Sequence, residues 1–349
     1  MVPAFGGDIG GMSDAEHRTV AMDAFLGRHG FAAADRSAPS ADASFRRYFR
    51  LTGGPYPALL MDAPPDKEKL RPFVEIAAHL RRLGLSAPNV PASDMTEGFA
   101  LVEDFGDATF TRLLDDGVSA ETLYGQAIDA LAALQNYPEN ADISLPPYDL
   151  AFFLKETGLF LDWYWPAARG SGPSAAEREE FQTALTQALI PVLARSPRVF
   201  VHRDFHVDNL IVVEGRTGVA ACGLLDFQDA LIGPPAYDLV SLLQDERRDV
   251  ASGLAAAMRA RYAKAVPALA DDTAYWVLGA QRHLKNLGIF ARLSRRDGKH
   301  RYLAHVPRMW RMIDECLAAE PILAPLAAWL DANWPSHTRI ALPAPGLTA

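Results

Sequence analysis

His202, Arg203 and Asp204 stand in the stretch VFVHRDFHVDN (199–209), which ends at Asn209, and a second apolar run, Gly223-Leu224-Leu225, ends at Asp226. Two acids and an amide, each placed after a strand-like run, can deprotonate a hydroxyl and hold a metal-nucleotide. Phosphoryl transfer asks a protein mainly to position groups and to neutralise charge. Asp204 suits the base that takes the acceptor proton. Asn209 offers a hard oxygen ligand to Mg²⁺, and Asp226 a charged one. A lone H-x-D is common by chance, whereas the whole set with its spacing is specific.

These residues need elements that hold them in a fixed relation. The run Val199-Phe200-Val201 predicts a buried strand that anchors the loop. Residues 210–213 and 219–225 predict a hairpin turning at Gly215 to Gly218, which returns Asn209 and Asp226 to the same end. His202 reads as a brace for the loop through hydrogen bonds. His206 reads as a structural imidazole or an acceptor contact, and Asp229 as an acceptor contact, a helper at the metal or a solvated loop acid. Asp238 enters a helix, where it would cap the N-terminus, brace the backbone of the 202–209 loop, or do both.

The chain has 349 residues, 49% hydrophobic and 22% charged, which predicts one large or two modest globular domains. Its formal net charge of -9 argues against nucleic acid as a general partner. The only cysteines, Cys222 and Cys316, make neither a disulfide framework nor a zinc site. The N-terminus lacks a signal-peptide pattern, and no run approaches membrane-spanning length. The expected location is the cytoplasm.

Along the chain, Ser13 and Glu16 form a capping-box signal for a helix that stops near Gly30. Residues 40–51, the turn Gly53-Gly54-Pro55 and the strand Ala58 to Met61 read as a β-hairpin with a polar tip. Residues 72–83 carry a helical apolar stripe, with Glu75 expected on its solvated side. Phe99 to Gly106 reads as a buried strand leaving into a glycine, and the domain boundary is placed there, giving segments 1–105 and 106–349. Beyond it the pattern is helical over 120–137, 150–165 and 175–195. The aromatic set Phe152, Phe153, Phe160, Trp163, Tyr164 and Trp165 has helical spacing, so core packing is expected rather than a sugar platform. On a helix, Arg282, Lys285 and Arg292 would form a basic stripe, either a solvated face or a receiver for an acceptor carboxylate.

HRDFHVDN and LLDFQDALIGPPAYDL resemble the aminoglycoside phosphotransferase family, which includes choline and sugar kinases. Within it, ADASFRRYFRL, MDAPP and QRHLKNLGIFARLSRRDGKHRYL are most similar to the anomeric kinases of cell-wall recycling. The resemblance spans about residues 13–320. It implies an α+β, protein-kinase-like fold with a small sheet-rich lobe over a larger helical lobe, and ATP and Mg²⁺ between them. It further implies nucleotide contacts from Ser40, Asp42, Ser44, Phe45, Arg46 and Tyr48 at the hairpin and from Glu103 and Phe105 at the linker. The acceptor it implies is an amino sugar, N-acetylmuramate or N-acetylglucosamine phosphorylated at C1, with Arg282, Lys285, His206 and Asp229 as candidate contacts. Met61 departs from the pattern, standing where many relatives carry a phosphate-pairing lysine; Arg46, Arg47 or Lys67 could supply the charge. A kinase of another small alcohol and a nucleotide-binding pseudokinase are the rival readings.

Overall fold

The computed structural model describes residues 13–38, 40–41, 45–137, 143–339 and 342. The chain divides into two units, one comprising residues to Arg82 and Ala87–Gly106, the other Leu83–Ser86 and residues from Asp107 on.

The first unit is a sheet backed by two helices. Helix α1 (Asp14–Arg28) starts at the expected capping box, with the Ser13 hydroxyl accepting from the Glu16 N–H. Strands β1 (Asp35–Arg36), β2 (Ser40–Ala41), β3 (Arg47–Thr52), β4 (Ala58–Asp62), β5 (Ala92–Asp94) and β6 (Phe99–Glu103) follow, with helix α2 (Leu70–Arg82) between β4 and β5. The sheet runs β1-β3-β4-β6-β5, with β2 also paired to β3, and every pairing is antiparallel. Its core joins Met22, Phe25 and Leu26 of α1 to Leu51, Leu60, Phe99 and Leu101 of the strands. Strand β4 lies between β3 and β6, which is why its residues read as a short continuous apolar run.

The second unit is mostly helical. Helices α3 (Phe110–Asp115), α4 (Ala120–Gln135), α5 (Leu150–Leu159), α6 (Trp165–Arg169) and α7 (Ala175–Arg195) precede the loop segment, and a π-helical turn, Phe160–Tyr164, joins α5 to α6. Strands β7 (Val199–Val201), β8 (Leu210–Val212), β9 (Cys222–Leu224) and β10 (Leu231–Gly233) form two antiparallel pairs, β7 with β10 and β8 with β9. Helices α8 (Ala236–Leu243), α9 (Ser252–Ala265), α10 (Asp272–Asp297), α11 (Val306–Ala319) and α12 (Ala324–Asn333) complete it. Of the six aromatic residues of 150–165, Phe153, Phe160, Tyr164 and Trp165 are buried in the core as expected, while Phe152 and Trp163 are half-buried. Tyr164 and Phe160 meet Trp310 and Trp334, and the Trp310 indole N–H donates to the Tyr164 hydroxyl. Among the described residues, no helix is long and apolar enough to cross a membrane.

Candidate active site

The 202–209 loop is built on β7, whose three residues are buried. Shortly after β7 and shortly after β9 the backbone takes a conformation L-residues avoid: Arg203 has φ +77, and Asp226 has φ +60. Such geometry persists only where the surroundings hold it. Asp238, fully buried in the first turn of α8, accepts the His202 N–H at 2.7 Å and the Arg203 N–H at 2.8 Å, one on each carboxylate oxygen. Asp238 is therefore a brace and not an N-cap; Pro235 occupies the cap position. Burial pushes the Asp238 carboxyl up to about 7, against the two N–H bonds, which favour its charged form.

The Asp204 carbonyl is held as well. Asn209 donates to it through Nδ2 at 2.9 Å, which leaves Asn209 Oδ1 as the amide's ligand atom. The β8–β9 hairpin forms as expected, with Leu210 opposite Leu224, and the Leu225 N–H extends it to the Asn209 carbonyl at 2.9 Å. Asn209 and the residue before Asp226 are thus hydrogen-bonded neighbours. Asp226 is exposed, and Gln228 donates to its Oδ1 at 2.7 Å. A hard oxygen from an amide and one from a carboxylate at the same end of a hairpin are a donor set that fits Mg²⁺.

The Asp204 side chain keeps 40% of its surface exposed, while Arg282 beside it, at 3.7 Å, keeps 1%. Partial burial acts to raise the Asp204 carboxyl, but the charges of Arg282, Lys285 and Arg203 outweigh it and hold the group well below the ordinary carboxylate range. His206 is buried and neutral, pushed down to about 4 chiefly by burial, and its Nε2 lies 3.4 Å from Asn209 Nδ2. The His202 ring packs edge-on against Phe205, and the hydrogen bond tying the loop at this residue comes from its backbone N–H.

The matching family model is described as the phosphotransferase enzyme family and covers residues 35–275. This chain belongs to that family. A protein of Caulobacter vibrioides named N-acetylmuramate/N-acetylglucosamine kinase is 37% identical over 369 residues, covering 94% of this chain and 100% of the relative. One of the same name from Pseudomonas aeruginosa is 41% identical over 306 residues, covering 83% of this chain and 86% of that relative. Among solved structures, the streptomycin–ATP ternary complex of the aminoglycoside phosphotransferase APH(2")-IIa matches with TM-score 0.57 at 16% identity, covering 90% of this chain and 99% of that one. The fold is the α+β, kinase-like one of that enzyme.

The remaining candidates of this phosphotransferase fall into distinct settings. The basic residues of α10 are not a solvated stripe: Arg282 and Lys285 are buried and ion-paired, while Arg292 is half-buried. Lys285 Nζ lies 3.1 Å from Glu156 and donates to the Tyr237 hydroxyl at 3.1 Å. Arg203 also pairs with Glu156, and it donates to the Asp229 carbonyl at 3.1 Å, so Asp229 meets the loop through its backbone while its side chain is exposed. Sequence reasoning misses Glu156 and Glu246, the acids that balance α10. Glu156 lies in an apolar helix, and Glu246 sits in the run QDERRD, which reads as a solvated turn. A lone acid on an otherwise apolar helix is the signal available for Glu156.

In the first unit, Met61 is buried opposite Tyr48, and Tyr48 is half-buried. Arg46, 7% exposed, pairs with Glu68 at 3.0 Å. Arg47 and Arg18 share the buried Asp62 carboxylate, and Lys67 lies over the exposed Phe45 ring at 5.3 Å. Arg46 is thus the buried one of the three candidate cations. Glu103 accepts the Asn89 N–H at 2.9 Å and pairs with Arg81 at 3.2 Å; Phe105 is half-buried. Glu75 is exposed, pairing with Arg71. Ser40 lies on β2, opposite Tyr48. Asp42 and Ser44 lie outside the described residues.

Proposed function

We propose that this phosphotransferase is a cytoplasmic, ATP- and Mg²⁺-dependent kinase that phosphorylates the C1 hydroxyl of N-acetylmuramate, N-acetylglucosamine or both. The acceptor class is supported by the named activity of relatives 37% and 41% identical over most of the chain. ATP use is supported by the ATP bound in a solved complex of the same fold. The single observation that carries the chemistry is the closure of the β8–β9 hairpin, which sets Asn209 beside the residue preceding Asp226 while Asn209 also holds the Asp204 carbonyl.

In this reading Asp204 Oδ takes the proton of the acceptor hydroxyl, and its exposed carboxylate is open to an acceptor. The acceptor oxygen becomes strongly acidic as its bond to phosphorus forms, so a carboxylate held ionised can take the proton as the phosphoryl group transfers. Asn209 Oδ1 and the Asp226 carboxylate would hold Mg²⁺. When bound, Mg-ATP supplies the phosphoryl group and the metal neutralises charge on it. The first-unit residues Ser40, Asp42, Ser44, Phe45, Arg46, Tyr48, Glu103 and Phe105 belong to the nucleotide side of this proposal. The charge of the lysine missing at Met61 would come from Arg46, which pairs with Glu68, from Arg47, which shares Asp62 with Arg18, or from the exposed Lys67.

The test is to incubate the protein with Mg-ATP and a panel of amino sugars, aminoglycosides and choline, and to locate new phosphate by ³¹P NMR. The expected product is a sugar 1-phosphate; phosphate on a non-anomeric hydroxyl removes the acceptor claim, and no turnover of any acceptor favours a pseudokinase. Asp204→Asn is expected to lower kcat at least about 10²-fold with nucleotide binding retained. Near-normal turnover in that variant would remove Asp204 from its role.

A further inference from the structure

Three consecutive residues of the loop, 202, 203 and 204, are held by side chains from different elements. Asp238 takes the N–H groups of His202 and Arg203, and Asn209 donates to the carbonyl of Asp204. The carbonyl of Arg203, the residue with φ +77, is held from α10: Arg282 Nη1 donates to it at 2.8 Å. The same nitrogen reaches the Tyr237 hydroxyl at 3.4 Å. The other terminal nitrogen, Nη2, lies 3.6 Å from Glu246 and 3.7 Å from Asp204. The guanidinium is 1% exposed, and Glu246, 2% exposed, is its buried counter-charge.

We infer that Arg282 is a positioning residue for Asp204, fixing the strained Arg203 peptide and orienting the neighbouring carboxylate without touching the acceptor. At 3.7 Å the guanidinium attracts the Asp204 oxygen without saturating it by a hydrogen bond, and the carboxylate stays open. An arginine is needed because its planar fork serves a carbonyl with one nitrogen and two carboxylates with the other. A lysine would keep the charge and lose the fork. The same burial argues against Arg282 as the receiver of a muramate carboxylate, since Glu246 already balances it and no surface is left for a ligand. The enzyme's choice between an acidic and a neutral amino sugar is therefore independent of Arg282.

The inference rests on Asp204 as the base, so Asp204→Asn is measured alongside. The set is Arg282→Lys, Arg282→Met and the double variant Arg282→Met/Glu246→Gln, which removes one buried charge of each sign and leaves Asn286 a side-chain oxygen to donate to. Steady-state kinetics with Mg-ATP are recorded for N-acetylmuramate and N-acetylglucosamine, with circular dichroism melts as the check on folding. The double variant is expected to fold and to lose about 10- to 10²-fold in kcat with both acceptors, the scale set by misplacing a catalytic group. Both acceptor KM values stay within about twofold, the ratio of kcat/KM between the sugars is unchanged, and Arg282→Lys recovers part of kcat. A loss confined to N-acetylmuramate and carried by KM would make Arg282 an acceptor contact. Wild-type kcat in a folded double variant would make it structural only. If Asp204→Asn stays active, the base assignment falls and this inference with it, whereas an inactive Asp204→Asn beside an unaffected Arg282 series overturns the inference alone.

Discussion

Asp238 shows how one side chain can set the geometry of a reactive loop. Each of its oxygens accepts one backbone N–H, from His202 and from Arg203, and an amide of the same shape cannot repeat that. An asparagine has one acceptor oxygen, and its NH₂ group would face the second N–H. Asp238→Asn is thus expected to destabilise the protein by about 1–3 kcal/mol, the cost of stranding one buried donor. It should also lower kcat, because Arg203 at φ +77 loses one of the two side chains that hold its peptide. Denaturant unfolding and steady-state kinetics on the same preparation check both. Unchanged stability with unchanged kcat would deny Asp238 the bracing role. The sequence allowed capping and bracing together, because an acid in a helix's first turn suits both; only the loop's path decides between them.

At the scale of elements, α10 is the helix around which the second unit packs, and its glycines record how closely. A Cβ at Gly288 would lie 2.2 Å from the Leu159 carbonyl carbon and 2.5 Å from the Phe160 nitrogen, where the π-helical turn begins. Both are backbone atoms that no rotamer change can move. Gly288→Ala is expected to destabilise by about 1–3 kcal/mol through overpacking, although alanine is the better helix former by about 1 kcal/mol. A Cβ at Gly253 on α9 would meet no atom within 4 Å, so Gly253→Ala should be neutral or stabilising in the same melts. Gly288→Ala melting at or above wild type would contradict the close packing. The strands and helices here were legible because apolar runs and the 3.6-residue period announce them. The setting of the α10 cations was not: Leu284, Leu287 and Ala291 share a helix buried on most sides, and the acids that neutralise Arg282 and Lys285 come from distant segments. Periodicity reports which face is apolar and is silent about charges buried in pairs.

For the molecule as a whole, the same buried polar groups govern how stability responds to acid. The motif residues could be read from spacing alone, but their protonation depends on burial, which spacing does not carry. His283 on α10 is fully buried, its Nε2 2.8 Å from Gln244 Oε1, and burial pushes its imidazole down to about 4, with Glu246 opposing that shift and Arg282 adding to it. Its folded-state value lies below the unfolded one of about 6.5, so the unfolded chain binds the extra proton. The stability it contributes is complete above about pH 6.5 and is lost as pH falls toward 4. His202, pushed to about 4 by burial with Asp204 opposing, acts in the same direction. Asp238 and Asp245, raised to about 7 by burial, act in the opposite one, losing stability as pH rises from the unfolded value toward 7. A wild-type curve sums these opposed contributions, so the informative quantity is the stability gap between wild type and His283→Gln, which keeps an amide donor and cannot titrate. All six tryptophans lie beyond residue 160, so their fluorescence follows the second unit, where His283 resides. Between about pH 7 and pH 4.5 that gap is expected to shift by about 2–3 kcal/mol in favour of the variant. A gap independent of pH would mean that His283 titrates in the folded protein as it does in the unfolded chain, and that the interior around α10 admits a proton far more readily than its packing implies.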